Sequence, residues 1–299
     1  MTSPRPLSLS KGVRQRLLDP ALSSRLGFHD RDQIELRGAV EAVLAQDHDL
    51  ELICTLAGRL VDRIGEFGPT GAASVWADLP DRPDYQGGLG AGVLAMLALL
   101  VSAPEVADFH ASRGIAPVIS GATLADLGQQ VAVHRSTYGE FGLHTHGWLE
   151  LIWSGALYGL GRLQFNLQPD GGRWVLSTHI PRTGPLTPES VDASLASARD
   201  FFARHFPDHP AQDVHCQSWL LDPVLSALLP DSNVAAFQRR WLRFGEPLPG
   251  DADVLFFVFN RRGSVDLTSL PTDTALRRVA VQRWAAAEHF SVWNGRLPR

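Results

Sequence analysis

His215-Cys216-Gln217-Ser218 sets an imidazole, a thiol, an amide and a hydroxyl side by side. Groups of these kinds can supply a general base, a nucleophile or a donor to an oxyanion. Residues 214–221 (VHCQSWLL) read as a strand, along which side chains alternate between faces. Cys216 and Ser218 therefore share one face, and His215 and Gln217 the other. Adjacent His215 and Cys216 point apart and make a poor nucleophile pair. Cys216 and Ser218 also suit small positions on the core side. His179 ends a second strand-like run and can act as a general base or sit in a polar network. Arg162 can hold a carboxylate or phosphate, or span the sheet in a structural ion pair. Gly159 and Gly161 beside it permit a close approach of backbone or ligand, or mark a bulge.

Three further patterns are weaker. His144-Thr145-His146, with His134, invites a zinc site, yet neither a Cys pair nor an HExxH motif accompanies it, and no metal is expected. Gly88-Leu89-Gly90-Ala91-Gly92 is a poor dinucleotide loop, because no strand precedes it and no acidic residue follows at the right distance. Close helix packing explains it better. The chain has no Gly-x-Ser-x-Gly elbow, and Ser154-Gly155 falls in a helical context, which argues against a serine hydrolase.

The elements that position these groups follow from composition and periodicity. A chain of 299 residues, 44% hydrophobic, with eight Trp and fourteen Phe, can bury two ordinary cores. Its net charge of −5 offers nothing to a polyanion, and no nucleic-acid partner is expected. Lys11 is the single lysine among 27 basic residues, and Arg239, Arg240 and Arg243 alternate with apolar positions as on a solvated face. Two cysteines, Cys54 and Cys216, cannot form a disulfide framework. The first ten residues lack the plan of a signal peptide, and the apolar stretch 89–103 is too short to cross a bilayer. A buried helix, no membrane and a reducing, cytoplasmic setting are expected.

The first third reads as helices. Asp30 suits the cap of one that turns Ile34, Val40, Val43 and Leu44 inward, and Ile53, Leu56, Leu60 and Ile64 form the stripe of the next. Residues 68–88, rich in Gly, Pro and Asp, form a loop that carries Trp76 and Tyr85. Thr123 opens a further helix. The pattern then changes: 157–167 and 173–180 read as strands joined by an Asp170-Gly171-Gly172 hairpin turn. Thr187-Pro188-Glu189 marks a helix start, and Val191, Leu195, Ala198, Phe202 and Phe206 form its buried stripe. After strand 214–221 come two short helices, the second capped by Asp231 or Ser232. Residues 254–259 (VLFFVF) read as a central strand, and 274–289 as a final helix.

Four segments together resemble a known pairing: an N-acyltransferase N-terminal domain followed by a GNAT-like C-terminal domain, as in bacterial proteins. They are Arg113-Gly114-Ile115 with 122–128; 158–165 (YGLGRLQF); His179-Ile180-Pro181 through 184–188 to Ser194; and 216–223 (CQSWLLDP) with Ser232-Asn233. The resemblance covers most of the chain. It implies an α+β fold, with a helical N-terminal domain (1–134) and a GNAT-like mixed β-sheet domain flanked by helices (135–299). It also implies an acyltransferase that moves an acyl group from acyl-CoA (acetyl-CoA included) or a carrier thioester to a small-molecule amine acceptor. Catalysis then falls to His179, Cys216 and Ser218.

GNAT enzymes cradle the donor's pyrophosphate on backbone N–H groups of a Gln/Arg-x-x-Gly-x-Gly/Ala loop entering a helix. The matching loop here is Arg182-Thr183-Gly184-Pro185-Leu186-Thr187, so Arg162, Arg182, Gly184 and Thr187 are the expected donor-binding residues. Pro185 and Pro188 depart from the pattern by removing two N–H donors, and Glu189 adds a carboxylate. A GNAT-like scaffold that binds a ligand or partner without turnover is the alternative. In either case residues from about 140 onward should build a sheet that opens into a V, with a helix starting at its mouth.

Overall fold

The computed structural model describes residues 6–68, 75–79 and 89–298. Two compact units, Met1–Tyr158 and Gly159–Arg299, contain them. The division falls 24 residues beyond the expected 134/135 boundary. The physical reason is apolar: Phe141, Leu143, Leu149, Ile152 and Trp153 are buried in the core of the helical unit, so the segment that carries them folds there.

The first unit consists of α1 (Pro6–Leu17), α2 (Pro20–Arg25), α3 (Asp30–Leu44), α4 (Asp47–Asp62), α5 (Val93–Ser112), α6 (Pro117–Leu124), α7 (Asp126–Tyr138) and α8 (His146–Trp153). Asp19 accepts a hydrogen bond from Ala21 N and Pro20 takes the first turn, so α2 starts as local chemistry dictates. Asp30, expected at the cap of α3, is instead its first residue, and His29 stands at the cap. Tyr85 lies outside the described residues, whereas Trp76 is buried against the helical core.

Over 93–103 helix α5 is buried on every side, and this fits its place at the centre of the unit. It is long and apolar enough to cross a membrane by length and composition, but most of it is buried inside this core. Trp153 anchors it from α8 by donating its Nε1–H toward Leu99 O (3.0 Å) and Ser102 Oγ (3.1 Å). The glycines before α5 serve contact: a Cβ on Gly92 would meet Leu143 O at 1.8 Å, and Leu143 N donates to Ala91 O at 2.8 Å. Gly88 itself is outside the described residues.

The second unit is built on one sheet: β1 (Leu157–Leu160), β2 (Leu163–Asp170), β3 (Arg173–His179), β4 (Ala211–Ser218), β5 (Leu242–Pro249) and β6 (Ser291–Arg296), in the spatial order β1-β2-β3-β4-β6-β5. The division between units falls inside β1. Its helices are α9 (Pro188–His205), α10 (Pro223–Leu228), α11 (Asn233–Gln238), α12 (Asp251–Phe259) and α13 (Ala275–Ala285). Strands β2 and β3 pair antiparallel through the Gly171-Gly172 turn, where both glycines take positive φ. Strands β3 and β4 run parallel across the α9 connection; β6 is antiparallel to both β4 and β5. The mixed sheet flanked by helices is the architecture the family resemblance implied.

Three local expectations are corrected. Residues 254–259 form most of α12, not a central strand: Asp251 and Asp253 occupy its first turn, and a short run that is apolar on every side fits a buried helix as well as a buried strand. The stretch 157–167 is two strands, interrupted at Gly161, which takes φ +73°. Strands β5 and β6 were not expected. Strand β5 is exposed along its whole length and contains Gly245, Pro247 and Pro249, so it shows no alternation to read.

Candidate active site

The chain turns from sheet to helix at the end of β3, and the polar groups gather there. Pairing between β3 and β4 runs as far as Thr178↔Cys216, while β3 continues to His179 and β4 to Ser218. On its other edge β4 pairs with β6, from His215↔Arg296 to Ser218↔Trp293. The two parallel strands thus bring their C-terminal ends together here, where α/β sheets place their ligands.

His179 is half-buried at this point and faces Gln164 of β2 in register. Period-two alternation sets Gln164, Asn166 and Gln168 on one face of β2. His179 Nε2 lies 2.6 Å from Asn166 Oδ1, and Asn166 Nδ2 donates to Gln168 Oε1 at 3.1 Å. The Oδ1 of Asn166 is an acceptor only, so Nε2 carries the proton and the lone pair belongs to Nδ1. Burial pushes the imidazole down to about 4, so it is neutral at physiological pH.

After His179 the chain passes through residues 180–187 into α9. Thr187 caps this helix by accepting from Ser190 N (3.3 Å), and Pro188 takes its first position. The cap satisfies the N–H of Ser190 only. Among the described residues, the N–H groups of Thr183, Gly184, Leu186, Thr187 and Glu189 donate to no atom of the chain. Arg182, Thr183, Gly184 and Pro185 are exposed. Unmatched donors at a helix N-terminus, exposed at Thr183 and Gly184, favour an anion, although Pro185 and Pro188 contribute none, Leu186 is buried and Glu189 brings a negative charge.

The expected site residues separate into two groups. His179, Gly184 and Thr187 line this corner, with Gly184 at φ +139° in the loop and Thr187 at the helix cap. Arg162 reaches the loop, but its guanidinium bonds backbone carbonyls: Pro181 O at 2.7 Å, Gly184 O at 2.9 Å and Pro185 O at 3.1 Å. Among the described residues no carboxylate pairs with it, so the expected structural ion pair gives way to this arrangement. Arg182 donates to Asn260 Oδ1 at 2.7 Å. Gly161 answers its own question: a Cβ there would meet Ser194 Oγ of α9 at 2.8 Å.

Cys216 drops out as a nucleophile. Cys216 is sealed in the core, and burial pushes its thiol far up, so no thiolate is available as nucleophile. Ser218 Oγ accepts from Leu220 N at 3.1 Å and caps the short 3₁₀ turn that follows β4. His215, on the other face, pairs with Asp170 at 3.3 Å. In the helical unit His134 and His144 meet through their Nδ1 atoms at 3.1 Å, while His146 packs edge-on to Trp76. Among the described residues no three His, Cys, Asp or Glu side chains gather as a metal site. Asn166 and Gln168 were not singled out from the sequence, although the alternation of Gln164, Asn166 and Gln168 with Leu163, Phe165 and Leu167 was there to be read.

A mixed sheet whose parallel strands lead into a loop and a helix N-terminus is the architecture of GNAT-type acyltransferases. Residues 19–155 match the N-acyltransferase N-terminal domain, and residues 157–297 the GNAT-like C-terminal domain. Three solved structures are similar. An acyltransferase mutant in complex with octanoyl-CoA has a TM-score of 0.84 and 32% identity, covering 93% of this chain and 87% of that one. An acyltransferase in complex with decanoyl-CoA gives 0.80 and 32%, covering 99% of this chain and 100% of that one. An acyltransferase in complex with decanoyl-CoA and teicoplanin gives 0.79 and 33%, covering 93% and 87%. No curated protein sequence matches. The chain belongs to the family of acyltransferases that join an N-acyltransferase N-terminal domain to a GNAT-like C-terminal domain.

Proposed function

We propose that this chain transfers an octanoyl- or decanoyl-sized acyl group from acyl-CoA to an amine of a small-molecule acceptor of the teicoplanin type. The observation that carries it is the corner at the end of β3. A neutral histidine with its lone pair on Nδ1 is followed, from Thr183 on, by unmatched N–H groups that lead into α9. Relatives with 32–33% identity along nearly the whole chain are acyltransferases held with octanoyl-CoA, decanoyl-CoA and teicoplanin.

The chemistry is direct transfer. The neutral amine attacks the thioester carbonyl, the C–N bond forms, and charge collects on the carbonyl oxygen. His179 takes the proton that the now cationic nitrogen must shed. Collapse of the intermediate breaks the C–S bond, and the CoA thiolate leaves and is protonated. Burial makes His179 a weaker base than a free imidazole, but leaves it in the form that accepts a proton. The imidazole stays unprotonated near pH 7, and the ammonium of the tetrahedral intermediate is far more acidic than that of a free amine. The loop and the N-terminus of α9 hold the pyrophosphate of the donor.

The test is to mix the purified full chain with octanoyl-CoA and the deacylated teicoplanin core, following release of free CoA thiol and the mass of the acceptor. One thiol per acyl group gained is the expected result. Absence of both thiol release and calorimetric heat with octanoyl-CoA would overturn the proposal. The loss of donors at Pro185 and Pro188 favours a second reading, a scaffold that binds without turnover; it predicts binding heat with no thiol release.

A further inference from the structure

A trans peptide turns its carbonyl and the following N–H to opposite sides, and no cis peptide occurs among the described residues. A side chain that collects the carbonyls of a loop therefore also decides where its N–H groups face. In residues 180–187 that side chain is Arg162. Its Nη1 donates to Pro181 O at 2.7 Å, its Nη2 to Gly184 O at 2.9 Å, and its Nε to Gly184 O and Pro185 O at 3.1 Å each. With the Pro181 and Pro185 carbonyls turned toward the guanidinium, the N–H groups of Arg182 and Leu186 face away from it.

The arginine is itself held in place. Its backbone N–H donates to Ser194 Oγ of α9 at 2.7 Å, and Ser194 Oγ donates to Ser190 O at 2.9 Å. Gly161 precedes it at φ +73°, where a side chain would be strained and would strike the same hydroxyl. One residue thus ties the β1–β2 turn to the loop and to the first turns of α9. A planar fork with five donors can serve three carbonyls together; a lysine ammonium carries the same charge without that spread.

On the acyl-CoA assignment proposed above, we infer that Arg162 is a positioning residue for the donor: it holds the loop carbonyls so that the loop N–H groups meet the pyrophosphate, and does not contact phosphate itself. Calorimetric titration without acceptor separates the possibilities, using octanoyl-CoA and octanoyl-pantetheine, which keeps the thioester but lacks the pyrophosphate and nucleotide. R162K and R162Q should both bind octanoyl-CoA about tenfold more weakly than the unsubstituted chain, with octanoyl-pantetheine affinity unchanged. Full retention of octanoyl-CoA affinity in R162K would overturn the inference, because charge alone would then suffice. An unsubstituted chain that binds the two thioesters equally would overturn it too, as would a parallel loss for both in the variants. Folding is read separately, from trypsin cleavage after Arg182 relative to other sites. That ratio should rise in R162Q, and an unchanged ratio counts against the clamp. Turnover is independent: a chain that binds octanoyl-CoA in this pattern but transfers nothing retains the positioning role and loses the transferase one.

Discussion

His179 and His134 are both pressed by burial to about 4, and each touches a polar partner through a ring nitrogen. Their surroundings differ. His134 lies inside the helical unit, only 2% exposed, between the rings of Tyr138 and His144, with Arg135 further disfavouring its charged form. His179 is half-buried at a strand end, next to a loop of unmatched donors. A depressed imidazole therefore marks burial and nothing more. Whether it can take a proton from a substrate depends on which nitrogen bears the lone pair and on what adjoins it.

Separate alanine substitutions put the sharpest strain on this contrast. His179→Ala should lower kcat by roughly 10²–10⁴-fold, measured as CoA thiol release. His134→Ala should leave turnover per folded molecule unchanged and lower the unfolding midpoint. The reverse pattern, with rate lost at His134 and kept at His179, would assign the proton transfer to the wrong unit and dissolve the comparison.

Acid should act on the helical unit next most strongly. His110 and His134 are both buried and held near 4, against 6.5 when unfolded. The folded state thus favours their neutral forms. Stability from this source is complete above pH 6.5, falls as the unfolded chain takes up protons below it, and levels off below about pH 4. From pH 7 to pH 5 the loss is on the order of 2 kcal/mol for each. Thermal melts at the two pH values check it, and His134→Gln should flatten the dependence. A midpoint indifferent to pH over this range would mean that these rings are not held neutral by the fold.

The smallest expected effect concerns the tautomer. Asn166→Asp sets a carboxylate beside Nε2 of His179, which favours the imidazolium. The acid limb of the rate profile should then move to higher pH by about one unit or more, with less than a tenfold change in the plateau. A profile that stays put while activity falls would reduce Asn166 to a packing role.

The features legible in the sequence are those whose cause is local. The Asp170-Gly171-Gly172 turn announces the β2–β3 hairpin because only glycine takes those positive φ angles cheaply. Thr187 and Pro188 announce α9 because a hydroxyl cap and a missing N–H both belong at a helix start. Position at the end of β3 singled out His179. By contrast, the apolar run 254–259 carries no period, and its conformation was settled by helix-favouring charges in the first turn and by burial on nearly every side. The edge strand β5, with two prolines and no buried residue, gives no signal of its own and exists because β6 pairs with it.

The site divides in the same way. Residue types and order alone determined that a histidine, a glycine-bearing loop and a capped helix follow one another between 179 and 188, since these are neighbours in the chain. The tertiary structure decided the rest. It gave Arg162 carbonyl partners 19 to 23 residues away, coupled His179 to Asn166 across a strand pair, and sealed Cys216 away from solvent. The physical reason is that hydrogen bonds and desolvation depend on direction and enclosure, and a side chain acquires both only when separate strands, turn and helix pack together.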